Sequence, residues 1–296
     1  MTTKKPKGRL VESGALRVDR SKALKKLQKY QLPGSVSRLG LWLKVAVFSG
    51  ALELRLGGEA RSNVYRFGGR PLPLRALRRP YEVLFEPEGD ESARLRHFSL
   101  ALMNSYYEHL TSIEVISGVG KQRYRLVTRQ FGQEDVTPCE ADEEDTIVRL
   151  KWSPLVPAPG ELPPLIERVL TADPPIDVLD MSPIPVKVSG TFGEFRKLVP
   201  AEQRKGSGIR FSCIDRTRVF LKRTWNISLT GSQFRIGKDG VDVQALSDIK
   251  SPRSVFGWID DPQLTLDASM ARVVKNKRYE HVREILEREI VRFQNE

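Results

Sequence analysis

Three histidines, two cysteines and one dense acidic run are the side chains in this 296-residue chain whose types could support catalysis or metal binding. His97 and His109 lie twelve residues apart on or near one predicted helix, on somewhat different faces, and His281 sits in the last helix. Each is read as a surface residue rather than a base or ligand. Cys139 and Cys213 have no CxxC partner, so neither a disulfide framework nor a zinc knuckle is supported. A nucleophile pair of Cys139 with a histidine would need a third, orienting group, and the sequence supplies none. The acidic run Glu140, Asp142, Glu143, Glu144 and Asp145 lacks EF-hand spacing and a central glycine. It reads as a solvated loop, or as an acidic contact for a basic partner such as the chain's own N-terminal segment. Gly118-Val119-Gly120-Lys121 invites a phosphate-loop reading, but the full G-x-x-x-x-G-K-[ST] pattern is absent and Gln122 follows the lysine. A hairpin turn is expected there.

Charge is the second feature. Lys and Arg number 49 against 37 Asp and Glu, for a formal charge of +12 and a pI near 9.8. Residues 1–30 carry ten basic side chains against Glu12 and Asp19, and residues 31–80 carry nine against Glu53 and Glu59, while the rest of the chain sums to −3. A positive end of this kind attracts nucleic acid, acidic protein segments or anionic lipid. The candidate contacts are Lys4, Lys5, Lys7, Arg9, Lys22, Lys25, Lys26 and Lys29, followed by Arg66, Arg70, Arg75, Arg78 and Arg79. The plainer reading makes Lys4 to Arg9 a solubilising tail and Lys22 to Lys29 the solvated face of a helix. No recognition-helix, zinc-finger or RNA-recognition signature accompanies the charge. Hydrophobic residues at 40% and charged residues at 29% exclude wholesale disorder, and the length suits one large or two medium domains. No stretch is apolar enough to span a membrane, and the first residues are polar, so a cytoplasmic protein is expected.

These residues need a frame to position them. Residues 1–18 read as a basic flexible tail. Ser21 caps a helix carrying Leu24, Leu27 and Tyr30, and Pro33-Gly34 breaks it. A second helix runs from about Val36 to Phe48, with Leu39, Leu41, Trp42, Leu43, Val45, Val47 and Phe48 covering nearly its whole circumference. Such a helix must be buried. Ser49-Gly50 stops it, a strand begins around Leu52 to Leu56, and Asn63–Phe67 is its neighbour, ending at Gly68-Gly69. Short helical turns over Leu74–Leu84, a helix over Ala93–Leu110 and a hairpin over Ser112–Ser117 and Arg123–Thr128 follow. Thr146–Trp152 reads as a strand, the proline-rich stretch beyond it as loop with a helix near Leu165–Leu170, and Ile184–Ser189 as another strand. The glycine-containing stretch Ala201–Gly208 is the best domain boundary. Strands Ile209–Ile214, Arg218–Leu221, Trp225–Leu229, Gln233–Ile236 and Val255–Ile259 precede an amphipathic helix from Lys277 to Phe293. Trp42, Trp152, Trp225 and Trp258 sit in apolar contexts and read as core.

The stretch Ser49-Gly50-Ala51-Leu52-Glu53-Leu54 resembles the junction after the first nucleotide-site helix of GHKL ATPases, as found in MutL and in the ninety-kilodalton heat-shock chaperones. Ser105-Tyr106-Tyr107 through Leu110-Thr111-Ser112-Ile113-Glu114-Val115-Ile116-Ser117 resembles the helix-to-strand passage behind the chaperones' phosphate lid. Asp260-Asp261-Pro262-Gln263-Leu264-Thr265-Leu266-Asp267-Ala268-Ser269 resembles an element of their middle domain. The resemblance implies an α+β chain: a GHKL-like helix-on-mixed-sheet sandwich over residues 19–200, then a smaller α/β domain over 201–296 similar to the chaperone middle segment. It also implies where ATP chemistry would sit, and there the chain departs from the pattern. The family's E-x-x-x-N-x-x-D falls on Leu41, Val45 and Phe48, none of which can move a proton or ligate Mg²⁺. The adenine-reading aspartate falls on Phe67 before Gly68-Gly69, and the arginine that reaches the γ-phosphate falls on Met270, with Arg272 two residues on. Phe98-Ser99-Leu100-Ala101-Leu102 stands where phosphate-cradling glycines would be.

The expectation is therefore a fold kept without its reaction: a pseudo-ATPase with no cofactor and no metal, acting as a chaperone-like or scaffold protein that binds another protein. Filling the old pocket with Trp42, Val45 and Phe48 would gain about 1.5–3 kcal/mol per buried side chain. Gly68 and Gly69 then serve only as a turn. The alternatives are a nucleic-acid-associated protein acting through the basic first 80 residues, and a divergent ATP-binding chaperone. A homodimer would need a surface other than the chaperone's dimerisation region, which this chain lacks.

Overall fold

Apolar side chains on every face of one helix, followed by strands of period two, demand a layered arrangement with that helix inside. The computed structural model describes residues 22–24, 26–27, 38–59, 62–87, 89–106, 110–140, 143–152, 176–190, 193–223, 233–249, 251, 254–267 and 272–296. Helix α1 (Arg38–Phe48) is followed by β1 (Leu54–Glu59), β2 (Ser62–Phe67), the short helix α2 (Leu74–Arg78) and helix α3 (Asp90–Ser105). Strands β3 (Leu110–Ser117), β4 (Tyr124–Thr128), β5 (Glu134–Pro138), β6 (Thr146–Trp152), β7 (Val186–Gly190) and β8 (Gly193–Leu198) complete a first sheet. That sheet has eight strands in the order β5-β4-β3-β6-β2-β1-β7-β8, antiparallel throughout except for the parallel pair β1 and β7.

Helix α1 stops where its sequence says it should. Gly50, at a φ of 77°, donates its N–H to Val47 O at 2.9 Å, and Ala51 donates to Ala46 O at 3.1 Å, closing a Schellman turn. Helix α3 begins earlier than its apolar spacing predicts, because Gly89 N–H donates to the Ser92 hydroxyl at 2.7 Å and so caps the first turn. It also ends at Ser105, short of the predicted Leu110, which instead opens β3.

Alternation along the strands sends Tyr65, Phe67, Ile113, Val115, Leu126, Val148 and Leu150 to one face, where they form a single core with Leu41, Trp42, Leu43 and Val45 of α1 and Phe98, Ala101 and Leu102 of α3. Leu24 and Leu27 pack against the rim of this core. The opposite face carries Val64, Ile116 and Ile147 among charged neighbours. There the buried Glu114 is met by Arg125, by Arg149 at 3.4 Å and by Lys151 at 3.7 Å.

A second sheet follows the Ala201–Gly208 stretch: β9 (Ile209–Ile214), β10 (Thr217–Arg223), β11 (Gln233–Lys238), β12 (Val241–Leu246) and β13 (Val255–Asp260), in the order β12-β11-β13-β10-β9. Helix α4 (Lys277–Gln294) begins at Asn276, whose side chain accepts from Tyr279 N–H at 3.0 Å. It lays Val282, Ile285, Leu286, Ile290 and Phe293 on Val219, Leu221, Phe234, Ile236 and Ile259. The other face of this sheet buries Phe220 and Trp258 under Met181 and Ala201. Trp42 and Trp258 are core residues, as their contexts predict. The expected helix near Leu165–Leu170 and the expected strand Trp225–Leu229 lie outside the described residues, as does the Trp225 side chain; the Trp152 side chain is likewise not described.

The α+β class is thus present as a large mixed sheet and a smaller second one. Three strands are not apparent in the sequence: β5, β8 and β12. The first, Glu-Asp-Val-Thr-Pro, is an edge strand with poor strand propensity, held only by β4. The other two are hairpin returns whose short apolar content becomes a strand once a partner edge is present. Among the described residues no helix is long and apolar enough to cross a membrane.

Candidate functional site

The sequence resemblance would put a nucleotide site at helix α1 and the turns it meets. Leu41 and Val45 are fully buried in the first core. Trp42 is sealed between them, its indole N–H donating to Ser105 Oγ at 3.1 Å and its ring 6.3 Å from Tyr65 and 6.2 Å from Phe98. Phe48 is half-buried against the His97 imidazole, with ring centroids 4.6 Å apart. Phe67 is fully buried. Leu41, Val45 and Phe67 share one apolar core while Phe48 lies against His97, so none of the four positions offers a metal ligand or a proton-transfer group, and the residues present do not fit a Mg²⁺-nucleotide at this place. Met270 lies outside the described residues, and Arg272 is exposed, its backbone paired with Asp267.

The two glycines after β2 have a structural reason. Gly69, at a φ of 86°, crosses the end of α1 so closely that a Cβ there would lie 2.3 Å from Ser49 O, and Arg70 N–H donates to the same carbonyl at 2.7 Å. Gly68 has no such need. A Gly69→Ala substitution meets both the left-handed backbone penalty and a backbone collision, and is expected to cost about 1–3 kcal/mol. A shift of the urea midpoint of that size checks it; Gly68→Ala should shift it far less.

The seam between the two sheets holds charges that are unusual for such a place. Lys44, on the second turn of α1, is buried. Removal from water pushes its ammonium pKa down, while Asp239 and Asp260 pull it back up and Lys238 presses it down further. Asp239 sits at a φ of 57° in the turn between β11 and β12, and burial raises its carboxyl against the pull of Lys44 and Lys238. Asp260 is fixed independently: Arg218 binds it at 2.8 Å and Gly240 N–H donates to it at 2.8 Å. Val241, next along, packs in the first core, so this turn joins the two halves. His97, expected at the surface, is half-buried. Burial first, then Lys44 and Lys238, lower its pKa from 6.5 to about 3, and its Nδ1 is sealed from solvent with no hydrogen-bond partner among the described residues. The pattern that could have flagged Lys44 is a cation inside a helix apolar on all faces. For His97 no comparable signal exists, since α3 is polar enough to leave it outside. Arg123 is also missed by sequence: fully buried, it ties the Gly118 carbonyl at 3.0 Å and the Asp145 carbonyl at 2.7 Å, holding the β3–β4 turn to the acidic loop.

The candidate basic residues fall only partly among the described residues. Lys22 and Lys26 are exposed; Lys4, Lys5, Lys7, Arg9, Lys25 and Lys29 lie outside the described residues. Arg66 projects from the sheet face opposite the helices and contacts both oxygens of Glu143 at 3.1 and 3.2 Å. Arg70 pairs with Glu91 at 3.2 Å, Arg75 with Glu86, and Arg79 with Glu82 at 3.1 Å, leaving Arg78 exposed beside them. The acidic run predicted as loop or contact thus supplies a carboxylate to Arg66, while residues 1–21 lie outside the described residues. The Gly118 to Lys121 stretch is a hairpin turn, as its missing serine or threonine predicts, with Gly118 at a φ of 121°. Cys139 is half-buried and Cys213 exposed, and no three His, Cys, Asp or Glu side chains cluster as a metal site among the described residues.

Comparison of the chain with models of known protein families finds no match, and comparison with curated proteins finds none either.

Proposed function

We propose that this chain is a degenerate relative of the GHKL ATPases that has lost ATP hydrolysis and works as a chaperone-like or scaffold protein by binding another protein. The observation that supports this reading is the chemistry of Leu41, Val45 and Phe48: the positions that would supply base, metal ligand and adjoining acid carry two core aliphatics and a phenyl ring laid against His97. A mixed sheet with α1 and α3 on one face, followed by a second sheet ending in α4, is compatible with the kinship to the chaperones' first two domains. Trp42, fully buried where α1 meets the sheet and α3, would have to be unpacked to admit a nucleotide among these side chains.

Titration with ATP, with and without Mg²⁺, tests the loss of nucleotide chemistry: no saturable binding is expected, and micromolar Mg²⁺-dependent affinity would favour the divergent ATP-binding chaperone instead. The protein-binding half is tested by light scattering of a heat-denatured reporter enzyme with equimolar chain. Aggregation should slow to the same extent with and without ATP; an unchanged aggregation curve removes the chaperone reading. The nucleic-acid alternative draws less support from the described residues, since Arg66, Arg70, Arg75 and Arg79 already have carboxylate partners. Binding that falls steeply between 50 and about 200 mM salt would revive it.

A further inference from the structure

We infer that the His97 imidazole is a proton-sensitive gate on the seam between the two sheets, which holds closed while the ring is neutral and opens as the ring protonates. The inference stands on the packing and does not depend on which function the chain performs. His97 belongs to α3 and stacks on Phe48 of α1; one turn back on the same face of α1 stands Lys44. Lys44 and Lys238 both bear on the ring as cations, and Nδ1, sealed from solvent, has no hydrogen-bond partner among the described residues. A third positive charge placed there would be desolvated, would face two cations, and would have no hydrogen bond to stabilise it. The relief available to a protonated ring is to leave the seam.

Asp239, in the β11–β12 turn, faces Lys44 and Lys238. Asp260 at the end of β13 is held by Arg218 of β10. On α3 itself Arg94 binds Glu91 and the Arg70 carbonyl, and Arg96 binds the Glu86 carbonyl. The sign follows from linkage. The closed-state pKa of His97 lies below its ordinary value of 6.5, so the seam is fully stable above about pH 6.5 and loses stability as pH falls towards 3. Asp239 acts the other way, because its raised pKa makes the closed form take up a proton more readily than the open one. The histidine contribution is therefore read as a difference between wild type and a His97 variant.

The test is amide hydrogen exchange of the full chain from pH 7.5 to 4.5, corrected for intrinsic exchange, followed in peptides covering residues 40–50 and 236–243. His97→Phe and His97→Gln are run beside wild type, each first shown by circular dichroism and urea unfolding to be folded at pH 7.5. Below pH 6.5 the opening of wild type relative to either variant should grow about tenfold per pH unit, the value for one proton. In Lys44→Met the closed ring accepts a proton more easily, so the same difference should be smaller at pH 4.5. Superimposable profiles for wild type and both folded His97 variants would overturn the inference. A Lys44→Met profile steeper than wild type would overturn the part given to Lys44.

Discussion

Leu41→Glu is expected to destabilise the chain by about 4–6 kcal/mol at pH 7. A carboxyl forced into an apolar core has its pKa raised by about 3–5 units, and the leucine packing is lost as well. Leu41 is the position where the resemblance puts the catalytic glutamate, and it lies fully buried between α1's other apolar residues and the sheet. Urea unfolding at pH 7 reads the loss. A second signature comes from linkage: with the folded-state pKa of the introduced carboxyl raised, the deficit relative to wild type should shrink as pH falls from 7 towards 4. An enzyme with an open site would accept this change with little loss, since the acid would reach water. Unchanged stability would therefore return the divergent-ATPase reading to first place.

Asp261→Ala should cost about 3–5 kcal/mol, the range for breaking a buried charge pair from one side. The carboxylate is fully buried. It accepts from Thr217 Oγ1 and from Gln263 N–H at 2.7 Å, and Arg278 of α4 binds it. Burial alone would raise its pKa, but these donors outweigh burial and hold it below the usual carboxylate range. Glu289, buried on α4, behaves alike: Ser212 donates to it at 2.7 Å, Arg292 at 2.8 Å and Arg210 at 3.1 Å, and its pKa is lowered despite burial. Both carboxylates stabilise the folded chain above the ordinary carboxylate pKa, and that contribution disappears as pH falls through their lowered values. The acid limb of the stability curve should therefore flatten in Asp261→Ala, with α4 and the second sheet affected most. A loss under about 1 kcal/mol would mean that Arg278 and Thr217 find other partners.

The adjacent Asp260 and Asp261 also show how far the sequence can be read. Their order suggests a family element; their chemistry is a pair of separate clamps, one to Arg218 and one to Arg278, in opposite directions. Neighbours in a strand or at its end point to opposite faces, so two consecutive carboxylates rarely share a task. Helices α1 and α4 and most strands were legible, because a face of apolar residues at a fixed period has few places to go. Strand β5 was not, since a pair of acids and a proline become a strand only when β4 offers an edge.

Charge was the least legible property. By count, the first 80 residues carry a strong positive excess. In space Arg66 is neutralised by Glu143, 77 positions away, and Arg70 by Glu91. Coulombic interaction depends on distance through the fold, and screening leaves little of a pair separated by more than about 10 Å, so sequence proximity says little about which charges meet. By itself the sequence determined that α1 must be buried, that no acid or amide stands at positions 41, 45 and 48, and that Gly118 to Lys121 lacks a phosphate loop, because these follow from side-chain type and local period alone. The tertiary structure decided that Lys44 is buried and His97 half-buried with its Nδ1 sealed, that Asp260 and Asp261 serve different arginines, and that Arg66 pairs with Glu143 while Arg70, Arg75 and Arg79 pair with other carboxylates, because each depends on which segments pack together.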